Sequence, residues 1–350
     1  MTWVLKPDAS IDIAGRALTA AEAAMAGLVI DLATGSVGSA RISLWPDSAF
    51  KDAAPGEQIT LNLGAADALD PVFSGTVETV RKDHQAVVIE AREAPAPLLS
   101  ARVNQSFVNQ TIAAIVRGLA GEVSVSAAES DIQLSLYAVE GRRSVWTHLR
   151  ELADMAGADL HCAPDGGLVF APYGAGETHT FHKGIDLLSW ETLAVAAAPA
   201  ETYAVHGAGS RAGSDKWHWL DAEVKGADTG ESRVVGAFAT KDAAEAATAA
   251  AAARAANAAV RARARLWGRP AVRIGDTVDL ALEQAGGGLL DAVAGALGGL
   301  GGASKPPYRV VGLSHHMNRE AGFVTVLDLG GSTAPDEAGG GAGGLGGVGL

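Results

Sequence analysis

The chain is poor in the residues that would announce a chemistry. It has 350 residues and one cysteine, Cys162, so an internal disulfide framework is excluded, and a reducing compartment is the expected setting. Basic residues are outnumbered, with 27 Lys+Arg against 40 Asp+Glu and a formal net charge of −13. That excludes a surface built to wrap nucleic acid. No stretch of about 18 uninterrupted apolar residues occurs, so no membrane span is expected. The opening MTWVLKPDASIDIAGR lacks a basic segment followed by an apolar one, so no signal peptide is expected and assembly is placed in the cytoplasm.

The short motifs of catalysis and cofactor binding are also missing. There is no Gly-x-x-x-x-Gly-Lys-(Ser/Thr), His-Glu-x-x-His, Gly-x-Ser-x-Gly or Cys-x-x-Cys. GAGSRA, Gly207 to Ala212, fits a dinucleotide fingerprint in letters, but GSDKWHWLDAE after it does not open a helix. His161-Cys162 is an adjacent pair rather than one spaced for a metal. Glu140, Glu151 and Asp154 pair as glycosidase acids only on paper. No catalytic, cofactor-binding or metal residues are assigned, and no cofactor is expected. Trp217 and Trp219 lie on one face of an extended segment, where they suit a sugar or an interface.

What is present is alternation. The chain is 48% hydrophobic, enough for two or three domains. LVIDLATGS, SARISLWPD, EQITLNLG, PVFSGTVETV and AVVIEARE read as strands between residues 28 and 93, and GLVFAPY and ETYAVHG follow later. NQTIAAIVRGLAGE has helical spacing, with Asn109 or Thr111 as cap and Gly121 as stop. RRSVWTHLRELADMAGADL is a second helix, capped by Ser144 and ended by Gly157. Residues 241–266 predict one long Ala-rich helix closed by Arg261, Arg263 and Arg265, as the helix dipole prefers. HHMNREAGFVTVLDL, residues 315–329, reads as strand, turn, strand. Adjacent strand residues point to opposite faces, so His315 and His316 do not converge on one ion.

One pattern occurs twice. GEQITLNL from Gly56 and GDTVDLAL from Gly275 share Gly-x-x-(Ile/Val)-x-Leu-x-Leu. VFSGTV around Gly75 is then matched with VVGLSH around Gly312, and a further strand follows each, from Val87 and Val324. The longer spacing in the second copy is assigned to a Gly-rich insertion at 286–302, whose Leu289, Leu290, Val293 and Leu297 lie at helical offsets and suit an interface. The expected fold class is α+β, mainly β: two similar β-barrel modules with an intervening α+β domain and one long Ala-rich helix. The expected limits are 1–92 for the first module, 93–205 for the intervening domain and 206–266 for a connecting segment with the helix. The second module takes 267–331, and a Gly-rich tail 332–350.

These segments together resemble the late control protein D family, the hub proteins of contractile phage tails, which are related to the N-terminal part of type VI secretion spike proteins. The likeness runs from about residue 28 to 330 and is carried by PVFSGTVETVRKDHQAVVIEARE, SVWTHLRELADMAGADL with its following strand, WGRPAVRIGDTVDL and YRVVGLSHHMNREAGFVTVLDL. It implies a homotrimer at the base of the tail tube, giving a ring of six modules. It also implies a hexameric inner tube protein, a trimeric spike protein and other baseplate proteins as partners, with a tape measure or cargo passing through. The spike needle is expected to be a separate polypeptide. Two other readings stay open on the residues alone: a tail-associated cell-wall hydrolase, and a carbohydrate-binding surface module resting on Trp217 and Trp219.

Overall fold

A computed structural model of the chain describes residues 6–196, 202–204, 232–234, 241–281 and 308–335. Trp217, Trp219, Leu289, Leu290, Val293 and Leu297 lie outside the described residues, as does all of 286–302.

The first part is all strand: β1 (Pro7–Ile13), β2 (Arg16–Thr19), β3 (Met25–Ala33), β4 (Ser39–Leu44), β5 (Gln58–Ala65), β6 (Ala68–Lys82) and β7 (Val87–Glu93). Alternation places Ile11, Leu28, Ile30, Ile42, Leu44, Ile59, Leu61, Phe73 and Ile89 inside, each at most 2% exposed. A smaller α+β unit follows, with β8 (Gln105–Thr111), α1 (Ile112–Ala120), β9 (Val125–Ala128), β10 (Gln133–Val139), α2 (Val145–Ala156), β11 (Ala158–Cys162) and β12 (Leu168–Pro172). Thr111 caps α1 by accepting from the Ala114 amide, and Ser144 caps α2 by accepting from the Thr147 amide. Gly157 ends α2 in the left-handed conformation, φ 62°. The chain then supplies β13 (Thr178–His182), β14 (Leu187–Ala194), a short parallel pair β15 (Thr202–Ala204) and β16 (Ser232–Val234), and α3 (Lys241–Ala258). It closes with β17 (Val260–Trp267), β18 (Thr277–Ala281), β19 (Tyr308–Asn318) and β20 (Gly322–Gly330).

The protein is mostly β, and thirteen of the strands form one curled, largely antiparallel sheet. Its path contains the same order twice: β3-β4-β7-β6-β5-β1, and β14-β17-β20-β19 with β18 and β13 joined beyond β19. The two halves match in detail. Residue 26 is bulged out between Met25 and Gly27 in the β3–β4 pairing, and residue 188 between Leu187 and Ser189 in β14–β17. Glu78 is the bulge of β6 on β7, and Val311 that of β19 on β20. Gly56 and Gly275 both need positive φ, +95° and +88°, and each donates its amide across 2.9 Å to the next long strand, at Val77 and Val310. Arg41 pairs with Glu90 at 4.0 Å in the first half, and Arg263 with Asp328 at 3.4 Å in the second. One difference stands out: β1 runs antiparallel to β5, whereas β13 runs parallel to β18.

Two sequence expectations need correcting. The helix predicted over 241–266 ends at Ala258, and its last part is β17. Arg261-Ala262-Arg263-Ala264-Arg265-Leu266 has period two: Ala262, Ala264 and Leu266 are buried and the arginines exposed. The alanines' helix preference is overridden by a slot between β14 and β20. The second correction is register. Gly56 and Gly275 correspond, but Gly75 and Gly312 do not. Thr79 faces Glu90 as Gly312 faces Asp328, so Tyr308 is the counterpart of Gly75. Likewise Thr325, not Val324, matches Val87, since they face Leu266 and Leu44 respectively. Gly56 to Val77 is 21 positions and Gly275 to Val310 is 35, so the second copy carries 14 extra residues rather than 18.

Candidate functional site: the seam between the modules

The two halves are joined through β19. Its far end, residues 312–318, pairs antiparallel with β3 from Gly312↔Ala33 to Asn318↔Gly27, while its near end pairs with β18 at Tyr308 and Arg309. The Thr34 amide extends the ladder, donating to the Val311 carbonyl at 3.0 Å. Side chains cross with the strands. Met317 and Phe323, flanking the β19–β20 turn, are buried in the apolar core of the first module, and Leu32 packs against the core of the second. The expected hairpin is therefore present, and its turn is set by Asn318 Oδ1, which accepts from the amides of Glu320 and Ala321. His315 is buried and its Nδ1 lies 3.0 Å from Thr325 Oγ1, whereas His316 is half-buried on the other face.

The α+β unit is fastened over this seam by polar contacts. Asp159 on β11 is 2% exposed and meets Arg309 Nη1 through Oδ1 at 2.5 Å. The same oxygen accepts from Thr34 Oγ1 at 2.9 Å, so one carboxylate links the first module, the α+β unit and the second module. Arg309 also stacks 4.0 Å over the Tyr173 ring. Nearby, the Gly35 amide donates to the Leu160 carbonyl at 2.7 Å, and Trp146 Nε1 donates to the Gly35 carbonyl at 3.2 Å. Asp276, next to Gly275, accepts from the amides of Arg273 and Glu177 and lies 2.8 Å from His179 Nε2. Arg273 in turn reaches the Pro71 carbonyl of β6 at 2.9 Å. Arg269 pairs with Asp186 at 2.5 Å.

Asp159, His161, Asp276 and His315 line a cavity of about 310 Å³ at this three-way junction. Burial holds the His161 imidazole below its usual range, against the pull of Asp159 and Asp276, and pushes His315 down to about 3. Burial also pushes the Cys162 thiol up, so it is not a ready nucleophile. Two of the other acids singled out in sequence are engaged by neighbours. Glu151 is held by Arg143 at 2.9 Å and by the Tyr137 hydroxyl at 3.3 Å. Asp154 lies 3.9 Å from Arg254. Among the described residues no group of three or more His, Cys, Asp and Glu is placed to hold a metal ion, and no helix is long and apolar enough to cross a membrane. Sequence reasoning passed over Asp159, Arg309 and Asp276. Their only signal is a single charge inside an apolar strand, in GADLHC and YRVVGL, or beside the repeated glycine in GDTVDL.

No protein-family model matches the chain, and a search of curated protein sequences matches none. Solved structures do match in fold. A tail protein from Neisseria meningitidis aligns over 95% of this chain and 99% of its own, with TM-score 0.65 and 14% identity. The 43 kDa tail protein of prophage MuSo2 from Shewanella oneidensis aligns over 95% and 99%, with TM-score 0.61 and 15% identity. An Escherichia coli component of the type VI secretion system, described as similar in structure to two T4 bacteriophage tail proteins, aligns over 92% of this chain and 77% of its own, with TM-score 0.57 and 11% identity. The chain has the fold that these phage tail and secretion proteins share.

Proposed function

We propose that this chain is a structural hub at the base of a contractile tail or injection system, working as a homotrimer that fits a hexameric inner tube to a trimeric spike. The observation that carries this is the internal repeat. Two modules with the same strand order and two matched bulges sit on one polypeptide, so three chains supply six near-equivalent modules together with three copies of the α+β unit. A sixfold face and a threefold face then coexist on one particle. The fold shared with tail proteins and with a secretion-system component supports the same reading.

In this reading the second module takes in β13 and β14 as well as the strands after α3, since they pair with β18 and β17. Partners are the tube protein, the spike and other baseplate proteins, with a tape measure or cargo passing through. Leu289, Leu290, Val293 and Leu297 are proposed to dock the spike, as four apolar side chains in a Gly-rich stretch with one charge. Deleting 287–301 is then expected to leave the trimer intact and to impair spike attachment or cargo retention. Trp217 and Trp219 are proposed as a second contact. In this reading the role is structural rather than catalytic, which the raised Cys162 thiol and the Arg143–Glu151 pair support.

The test is native mass. The purified chain is expected at three times its chain mass, and with tube protein at three hub chains to six tube subunits. A monomer across micromolar concentrations, or a complex of one to one, overturns the reading. Clearing of purified peptidoglycan by the chain alone would put the hydrolase in its place.

A further inference from the structure

The internal seam has a counterpart that the described residues leave open. In the second module, the end of β19 beyond its bulge at Val311 is covered by β3 of the first. In the first module, the end of β6 beyond its bulge at Glu78 is paired to β7 on one side, while on the other β5 stops at Thr76. Among the described residues no strand pairs with residues 79–82 on that side. The counterpart of β3 is β14, and among the described residues its one strand partner is β17. β14 is an edge that carries apolar side chains into water: Leu188 is 39% exposed, Leu193 61%, and Val195, just past its end, 46%. An open apolar edge of this length is normally covered or blocked by charge.

We infer that residues 78–82 of one chain pair with β14 of a second copy, reproducing between chains the β19–β3 seam that exists within each chain. The inference rests on the trimeric-ring reading above and adds the joint by which the ring closes. The register follows from the matched bulges. Val310, Gly312, Leu313 and Ser314 correspond to Val77, Thr79, Val80 and Arg81. Gly27, Asp31 and Leu32 correspond to Ser189, Leu193 and Ala194. Ser314 faces Asp31 and Leu313 faces Leu32 within the chain, so Arg81 faces Leu193 and Val80 faces Ala194 of the second copy. The amides agree with this arrangement. Asp83 donates to the Ala86 carbonyl and Val195 to the Ala259 carbonyl, so along these strands residues 80, 82, 192 and 194 turn their amides to the open edges.

The joint between chains is expected to be weaker than the one within. Met317 and Phe323, which anchor the internal seam in apolar core, correspond to His84 and Gln85 at the tip between β6 and β7. The ladder of main-chain bonds is kept, and the apolar anchor is not.

The experiment is a register-specific disulfide in the full chain. Ser314 and Asp31 sit on the non-hydrogen-bonded kind of pair, where strands bring Cα atoms to about 4.5 Å, within disulfide reach. In a Cys162→Ala background, Ser314→Cys with Asp31→Cys serves as the internal control and is expected to close within one chain. Arg81→Cys with Leu193→Cys is expected to give, on oxidation, a ladder of covalent dimer and trimer that stops at three chains. Arg81→Cys with Glu191→Cys, two residues out of register, is expected to give at least tenfold less. Native mass read on the same samples separates the two ideas. A trimer that cross-links at neither pair, or better at the shifted pair, overturns this joint and leaves the trimeric hub standing. A monomer without cross-links overturns both.

Discussion

Glu93 and His315 are buried ionisable groups whose effects on stability oppose each other with pH. Glu93 is 5% exposed, and burial raises its carboxyl to about 7, against a hydrogen bond from the Gly38 amide to Oε2 at 2.5 Å. Because its folded value lies above the unfolded value near 4.5, its contribution is full below pH 4.5 and is lost as pH rises through 7. His315, pushed down to about 3, behaves in the opposite way: its contribution is full above 6.5 and is lost as pH falls toward 3. Glu93→Gln keeps an acceptor for Gly38 without a charge. It is expected to stabilise the fold at pH 8 by on the order of 2–3 kcal/mol, with the gain vanishing below pH 4.5. Urea unfolding at the two pH values checks this, and an equal gain at both would remove burial as the cause. Asp159 and Arg309 give a second test. Arg309→Ala leaves a buried carboxylate at the seam and is expected to cost about 3–5 kcal/mol. Asp159→Leu combined with Arg309→Met is expected to cost much less, measured in the same way.

At the scale of elements, the register of the repeat can be tested through two glycines. A Cβ on Gly75 would stand 1.9 Å from the Arg92 carbonyl oxygen, main chain that cannot move without parting β6 from β7. On Gly312 the nearest atoms would be those of the Asp328 side chain, from 3.1 Å. Gly75→Ala is therefore expected to destabilise by at least about 1–3 kcal/mol, and Gly312→Ala by clearly less, as read from thermal or urea unfolding. Equal effects would restore the alignment of these two glycines that the letters suggest. The contrast also explains what is legible in sequence. α1 and α2 are readable because Thr111, Ser144, Gly121 and Gly157 state their ends in local chemistry. The β3 to β7 strands are readable because alternation and burial coincide. β17 is not, because alanine suits both states and only the neighbours β14 and β20 decide. The Gly56–Gly275 match holds because both positions take positive φ, while Gly75 is glycine for its close approach to the Arg92 carbonyl, and the residue at the corresponding place in the second half is Tyr308. The charged seam is hidden because Asp159 lies 150 positions from Arg309.

At the scale of the molecule, the internal seam and the proposed joint are expected to differ in when their amides are protected. Within the chain, Ile30, Leu32, Leu313 and His315 lie inside the β19–β3 ladder at all concentrations. Their counterparts on the open edges are Thr192, Ala194, Val80 and Lys82. In a dilute single chain these four amides face solvent and are expected to take up deuterium within seconds. In the proposed ring the same four are expected to slow by orders of magnitude, while the first set stays unchanged. The matched bulges thus make each molecule carry its own reference: four positions that report folding, and four equivalent ones that report company. Read against time after mixing, the lag between the two sets would date the closing of the ring from within a single polypeptide, without a label on any partner.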